Sequence, residues 1–276
     1  MTVLELINNT TAYFTKHHVP SPRLTVELML ADALQKTRMQ LYLDYDKEID
    51  EPVLDRLRPL VKRRAEGEPL EYLLGVTTFA GHRVQVSPDV LIPRPETEIL
   101  LEAASELIDP GAGLPVLDVG TGSGILGLAL AKKFPELEIV AVDVSPAALA
   151  MATRNCEGCG NIRHVESDLL EDKTLPERFQ MIVANLPYIP SGEIEGLMRE
   201  VRHEPRLALD GGGDGLDLVR RLVTQSKGRT RYLALELGDG QVEAAKTLCL
   251  AAGYALMRIL PDLTGQERIM VMEYYG

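Results

Sequence analysis

The chain has 276 residues, of which 45% are hydrophobic and 25% are charged, a composition that excludes a disordered protein and allows two unequal domains. The formal net charge is −12, with 11 basic and 12 acidic side chains in residues 1–85 against 18 and 29 in residues 86–276. An acidic surface repels phosphate backbones, so we expect no direct nucleic-acid binding.

The three cysteines are too few and odd in number for a disulfide framework, which points to a reducing compartment. Cys156 and Cys159 have the spacing of a metal or redox pair, but no second pair accompanies them, so we interpret them as a helix end and predict no metal site. Neither a signal peptide nor a run of ~18 uncharged apolar residues occurs, so we expect a cytoplasmic protein without a membrane partner. We also expect a monomer.

Residues 1–75 predict a small helical bundle. Thr2 and Glu5 form a capping box before an apolar stripe, and Ser21 followed by Pro22 predicts the start of a second helix. Two interpretations are open, a cap that only stabilises the protein and a module that docks the substrate. We favour the docking module, because a near-neutral appendage on a catalytic domain often selects the substrate.

Residues 76–95 predict a linker with a short β-hairpin. His82–Val86 alternates polar and apolar side chains, as a strand does. Pro93 and Pro95 then fix an extended segment, after which Glu96 begins a helix and a domain over residues 96–276.

From residue 115 onward the apolar runs alternate with helical patterns, which predicts an α/β fold with a mostly parallel sheet covered on both faces. The predicted strands are 116–119, 138–143, 162–165, 179–184, 232–237, 255–259 and 268–274. The predicted helices between them are 125–134, 145–155 and 239–252.

A glycine turn follows the first of these strands, in Val116–Gly124. Asp143 ends the next strand, 21 residues after Gly122, where an acid can accept hydrogen bonds from ribose hydroxyls. The turn fits a nicotinamide dinucleotide, S-adenosylmethionine or a merely structural role. The turn residues that we predict to bind a cofactor are Gly120, Thr121, Gly122, Ser123 and Gly124.

Asp118 favours S-adenosylmethionine, because a carboxylate before the first glycine can meet an ammonium group and would repel a pyrophosphate. The run also resembles the glycine motif of class I methyltransferases. In that fold Asp168 and Leu169, after the third strand, would border the adenine, one accepting from its amine and the other packing on its ring. A solvated loop acid is the alternative for Asp168.

Asn185–Tyr188, at the end of the fourth strand, resembles the Asn-Pro-Pro-Tyr motif of methyltransferases that act on planar nitrogens. Such a nitrogen is a poor nucleophile, so the site must align it with the methyl donor. The side-chain oxygen of Asn185 and the backbone carbonyl of Leu186 can each accept one N–H and stabilise the positive charge that develops. Pro187 and Tyr188 would shape the pocket, with Tyr188 packed on the planar group.

Leu186 departs from the glutamine-type motif, in which proline is expected. A carbonyl remains there, but the loop loses the stiffness that proline gives. Asn-Leu-Pro-Tyr also resembles the motif of ribosomal RNA adenine dimethyltransferases. An adenine-N6 methyltransferase acting on RNA or DNA is therefore the alternative function.

The rest of the chain resembles the release factor glutamine methyltransferases over nearly its whole length. The segments that carry this resemblance are 21–24, 67–75, 90–98, 202–209, 212–216, 236–238 and 262–268, together with the Asn185–Tyr188 motif.

The resemblance implies a class I methyltransferase with a Rossmann-like sheet and a small N-terminal helical domain. It implies transfer of a methyl group from S-adenosylmethionine, leaving S-adenosylhomocysteine, to the side-chain amide nitrogen N5 of the glutamine in the Gly-Gly-Gln loop of class I peptide-chain release factors. The N-terminal domain would contact the release factor. Asn185 would lie beside the cofactor, and Arg94, Thr97 and Glu98 would line the cofactor entrance.

Overall fold

The structure is a computed structural model that describes all 276 residues, Met1–Gly276. The chain divides into two compact units, one formed by residues 1–76 with 198–203 and the other by residues 77–197 with 204–276. Most of the segment that we predicted as a linker is part of the larger unit. No helix has the length and apolar character needed to cross a bilayer.

The smaller unit is helical, as predicted. The Thr2 capping box is confirmed, since Thr2 Oγ1 accepts from the Glu5 amide and Glu5 Oε2 accepts from the Thr2 amide. The start at Ser21 and Pro22 is confirmed, although the Ser21 hydroxyl, at a left-handed φ of 45°, makes no capping hydrogen bond. The helices are α1 Val3–Lys16, α2 Pro22–Ala33, α3 Arg38–Leu43, α4 Glu51–Ala65 and α5 Leu70–Leu74.

Gly67 follows the end of α4 with a φ of 101°, which glycine adopts readily. It also lies against Arg199, where an added Cβ would be 2.2 Å from Nε. Arg199 donates to the carbonyl of Ala65, and buried Arg64 pairs with Glu200 at 2.5 Å. These contacts explain why residues 198–203 pack with the helical unit.

The larger unit contains a hairpin, β1 Val76–Phe79 and β2 His82–Gln85, and a seven-stranded sheet. The sheet order is β5-β4-β3-β6-β7-β9-β8, and β9 runs antiparallel to both of its neighbours. The predicted class of fold is confirmed. The strands are β3 Val116–Val119, β4 Ile139–Asp143, β5 Ile162–Glu166, β6 Phe179–Asn185, β7 Thr230–Glu236, β8 Tyr254–Pro261 and β9 Glu267–Tyr274.

The helices of this unit correct two sequence predictions. We predicted no helix between the fourth and fifth strands, yet α9 buries Val219, Leu222 and Val223. The final helix begins three residues later than predicted, because Gly240 has a φ of 70°. The helices are α6 Glu96–Ser105, α7 Ile125–Lys133, α8 Pro146–Asn155, α9 Asp217–Ser226 and α10 Val242–Ala251.

The strand order reverses between β3 and β6. From β3 the chain continues outward through β4 and β5, and β6 then pairs with the opposite side of β3. Ligands bind at such a switch point, beyond the carboxyl ends of the strands. The register places Val119 beside Ala184, so the glycine turn and the Asn185 motif emerge next to each other.

Candidate active site

A cavity of about 440 Å³ lies at the carboxyl ends of β3, β4 and β6. Its lining combines apolar side chains with a few acids and amides, as small-molecule sites do. The predicted site residues that line it are Gly120, Thr121, Gly122, Ser123, Asp143, Asp168, Leu169, Asn185, Leu186 and Pro187. Asp118, Gly124 and Tyr188 do not line it.

The glycine turn bends back between β3 and α7. Gly120, Gly122 and Gly124 all have positive φ, which suits glycine. Gly124 lies behind the cavity wall, where an added Cβ would be 2.8 Å from Cα of Ala152. Its role in the structure is therefore close packing of the turn against α8. Asn155, which we did not predict, donates from Nδ2 to the Ser123 carbonyl at 2.8 Å and holds the turn from α8.

The Asp118 carboxylate is fully buried, which corrects the expectation that it lies open to a bound ammonium group. Its Oδ2 accepts from Thr121 Oγ1 at 2.6 Å and from the Gly127 amide at 3.0 Å, while Oδ1 has no partner. Burial raises the pKa of Asp118 to about 6, against the effect of both hydrogen bonds. Asp118 therefore fixes the shape of the turn from behind, and a direct cofactor contact stays a prediction.

Asp143 is placed where the sequence predicted an acid, at the end of β4 and on the cavity wall. Oδ2 accepts from the Gly122 amide and Oδ1 from the Ser145 amide, both at 2.9 Å. A carboxylate has about four acceptor positions, so this one keeps capacity for hydroxyl donors. Burial raises the pKa of Asp143 above its ordinary value.

Asp168 and Leu169 border the cavity beyond the end of β5. Arg221 of α9 lies 2.8 Å from Asp168 Oδ2, so this acid carries an ion pair that we did not predict. Leu169 is buried and has a φ of 53°, which turns its side chain into the core at the cavity floor. An acceptor beside an apolar surface suits adenine, because the acceptor can meet the amine at the edge of the ring and the apolar surface can pack on its face.

Asn185 ends β6, and its side-chain amide is held on one side. Nδ2 donates to Thr97 Oγ1 at 3.0 Å, and the Thr97 hydroxyl donates to Glu236 Oε2 at 2.7 Å. Burial raises the pKa of Glu236 to about 7, although the Thr97 bond opposes this. We did not identify Glu236 as a site residue, since only the fold brings the end of β7 beside α6.

The rest of the motif divides between the cavity and the protein interior. Leu186 is buried in the core, and its Cδ2 would be 3.1 Å from a Cβ at Gly120, so the side chain anchors the loop. Tyr188 is half-buried, and its Cδ2 would be 3.1 Å from a Cβ at Gly238, while packing of its ring on the planar substrate group stays a prediction. Burial raises the pKa of Tyr188 to about 12.

A second glycine-rich loop supports the motif from behind, a role that we did not predict. A Cβ at Gly211 would be 2.6 Å from the Pro187 carbonyl oxygen, and one at Gly215 would be 2.2 Å from the Tyr188 carbonyl oxygen. Gln241 Nε2 donates to the same Tyr188 carbonyl at 2.8 Å. The glycines thus let two backbone segments touch.

Arg94 and Thr97 line the cavity, as the family resemblance implied. Glu98 does not, since it is exposed and its Oε1 accepts from the Ala80 amide at 2.8 Å. Arg94 pairs with buried Glu204, whose other oxygen accepts from the Ile92 amide at 3.0 Å. Lining residues that we did not predict include Pro88, Asp89, Pro205, Leu207, Ala208, Leu218 and Arg221.

Comparison with known proteins supports this description. A family model described as the PrmC N-terminal domain matches residues 5–75, and one described as a methyltransferase domain matches residues 116–204. Release factor glutamine methyltransferase of Geobacter sulfurreducens is 39% identical over 98% of this chain and 95% of its own length. The protein of that name from Chlorobaculum tepidum is 40% identical over 96% and 95%.

Solved structures show the same fold. The hMettl16 catalytic domain, in complex with a MAT2A 3′UTR hairpin, aligns with a TM-score of 0.59 at 16% identity, over 84% of this chain and 93% of its own. A methyltransferase from Pyrococcus furiosus aligns with a TM-score of 0.53 at 20% identity, over 72% and 91%.

The switch-point cavity, the glycine turn with its acid and the matched methyltransferase domain define a class I methyltransferase that uses S-adenosylmethionine. Similarity of this extent along nearly the whole chain then fixes the family. The chain belongs to the release factor glutamine methyltransferases.

Proposed function

We propose that the chain transfers the methyl group of S-adenosylmethionine to N5 of the glutamine in the Gly-Gly-Gln loop of class I release factors. The observation that carries this proposal is the position of Asn185, whose amide lines the cavity beside the glycine turn. A glutamine side chain presents two N–H donors on one nitrogen. The Asn185 side-chain oxygen and the Leu186 carbonyl are the two acceptors proposed for them.

Bound S-adenosylmethionine supplies an electrophilic methyl group on a sulfonium. The amide nitrogen forms a bond to that carbon while the bond from carbon to sulfur breaks, and the nitrogen becomes positively charged. Asn185 and the Leu186 carbonyl align the nitrogen and stabilise this charge, since both are preorganised acceptors. The N–H of the charged product is acidic enough to give its proton to water, so we assign no general base.

The residues around the turn fit the cofactor by their chemistry. Asp143 keeps acceptor capacity for two ribose hydroxyls, and the Asp168 and Leu169 pair suits an adenine. Gly120–Gly124 supply close backbone approach for the amino-acid end. We propose these residues as the cofactor site.

Replacing Asp143 with asparagine is expected to raise the Kd for S-adenosylmethionine by about 10- to 100-fold. The asparagine side chain would point its NH₂ group at one of the two backbone N–H groups that now donate to the Asp143 carboxylate. It would also lose an acceptor for a ribose hydroxyl. Titration calorimetry measures this change. Asp172→Asn is the matched control, since Asp172 accepts from Thr174 outside the cavity. Equal Kd values for the two variants would remove Asp143 from the cofactor site.

The helical unit, Met1–Val76 with Met198–His203, is proposed to dock the release factor. The match of residues 5–75 to a domain model specific to this family supports a role beyond stabilisation. We further propose that the protein acts as a cytoplasmic monomer and binds no nucleic acid directly. The charge of −11 over residues 86–276 supports the last point.

The test is to incubate the protein with labelled S-adenosylmethionine and a class I release factor, beside the same factor with its loop glutamine changed to alanine. Ribosomal RNA is the third substrate. Label only on the intact factor is the expected result. Label on the RNA and not on the factor would instead assign the protein to adenine-N6 methylation.

A further inference from the structure

Two buried side chains form a short hydrogen-bonded chain behind Asn185. Asn185 Nδ2 lies 3.0 Å from Thr97 Oγ1, and Thr97 Oγ1 lies 2.7 Å from Glu236 Oε2. Thr97 is 1% exposed and Glu236 2% exposed, so water does not compete for the bond between them. The three residues come from β6, α6 and β7, and the chain is therefore a product of the tertiary fold.

The direction of each bond follows from the chemistry of the groups. An ionised carboxylate can only accept, so the Thr97 hydroxyl must donate its single proton to Glu236. The hydroxyl oxygen is then left as an acceptor toward Asn185. The Asn185 amide can donate to this oxygen only with its NH₂ group, so the amide oxygen points to the opposite side.

We propose that Thr97 and Glu236 are positioning residues that orient the Asn185 amide, so that its oxygen, and not its nitrogen, meets the substrate N–H. This inference rests on the proposed function in that it needs a substrate that donates a hydrogen bond. A reversed amide would set NH₂ against the substrate nitrogen and repel the charge that develops there. Glu236 does not line the cavity, so we assign it an action through Thr97 alone.

Protonation of Glu236 would reverse the direction of both hydrogen bonds. A protonated Glu236 can donate to Thr97, whose own proton can then turn to the oxygen of Asn185. Burial and Glu96 raise the pKa of Glu236, while the hydrogen bond from Thr97 and the charges of Arg268 and Arg94 lower it, with about 7 as the outcome. Tyr188, the other titratable group that faces Glu236, stays neutral here because burial raises its pKa to about 12.

Replacing Thr97 with valine keeps the shape and removes the hydroxyl, whereas Thr97→Ser keeps the hydroxyl. We expect Thr97→Val to lower kcat by about 10- to 100-fold and Thr97→Ser to stay within about threefold of the unmodified protein. The Kd for S-adenosylhomocysteine should change little in either. Thr230→Val is the matched control, a buried threonine at the start of β7 whose hydroxyl bonds to the Tyr232 carbonyl. A Thr97→Val variant with unchanged kcat, or a Thr97→Ser variant as impaired as Thr97→Val, would overturn the inference.

The pH profile tests Glu236. The active form is ionised, so kcat of the unmodified protein should rise with pH through about 7 and then become constant. In Glu236→Gln, which does not titrate, kcat should be lower and flat between pH 6 and 8. An acidic limb that persists in Glu236→Gln would exclude Glu236 as its source.

A readout without turnover separates this inference from the proposed function. The chain has five asparagines, so labelling them with ¹⁵N gives five side-chain NH₂ signals, and Asn185→Ala identifies the relevant one. Its protons should exchange slowly in the unmodified protein and in Thr97→Ser, and quickly in Thr97→Val. If the unmodified protein methylates no release factor, the proposed function fails while this measurement still decides the inference. Equal exchange in all three proteins would contradict it.

Discussion

Replacing Asn185 with alanine is expected to lower kcat for release factor methylation by about 10²- to 10³-fold. The variant loses the side-chain acceptor that we propose aligns the substrate nitrogen and stabilises its developing charge, and it leaves the Thr97 hydroxyl without its donor. Affinity for S-adenosylmethionine should change by less than about tenfold, because the turn and Asp143 are untouched. Single-turnover transfer with saturating cofactor measures the effect on the chemical step.

Asn161 offers a matched control for this substitution. Its Nδ2 donates to the carbonyls of Ala131, Phe134 and Leu137 at 2.9 to 3.1 Å, so it closes the end of α7 away from the cavity. Asn161→Ala should lower the free energy of unfolding by about 1–3 kcal/mol and leave kcat unchanged below the melting range. If Asn185→Ala kept more than a tenth of the activity, Asn185 would not be a principal acceptor.

Replacing Gly215 with alanine is expected to reduce kcat/KM by about 10²-fold or more, although Gly215 does not line the cavity. A Cβ there would lie 2.2 Å from the Tyr188 carbonyl oxygen and 2.4 Å from Gln241 Nε2, and the φ of 80° adds strain. The backbone of the Asn185–Tyr188 motif must therefore move to admit the methyl group. A displacement of 1 Å is enough to misalign the substrate amide.

Gly213, two residues away, is the control, because it has no atom within 4 Å of an added Cβ and is exposed. Gly213→Ala should keep kcat/KM within about twofold and leave the melting temperature nearly unchanged. Thermal melts and steady-state kinetics on both variants give the comparison. Equal activity of Gly215→Ala and Gly213→Ala would mean that the loop does not support the motif.

The order of the elements and the residues with intrinsic chemistry were readable from the sequence. Short apolar runs predicted the buried strands, and the Thr2 capping box predicted the first helix, because these signals are local. The glycine turn, Asp143 and Asn185 were predicted because each follows a strand, and the ends of parallel strands share one edge of the sheet. The α9 helix was also readable but was missed: Val219, Leu222 and Val223 recur at helical spacing, and the exposed residues are the polar Asp217, Arg221 and Thr224.

Features that depend on which distant segments meet were decided only by the tertiary structure. The sequence by itself determined that the chain has a glycine turn and an asparagine motif, each following a strand. Folding decided that Asp118 lies behind that turn, that Tyr188 packs beside Gly238, and that Gly211 and Gly215 support the motif. Folding likewise brought Glu236 to Thr97 across 139 positions of sequence. Because both side chains are buried, no water replaces a lost hydrogen bond, so the direction of the Thr97 hydroxyl proton matters for its neighbours. Residue types fix what a group can donate or accept, whereas burial and contact fix which partner it meets.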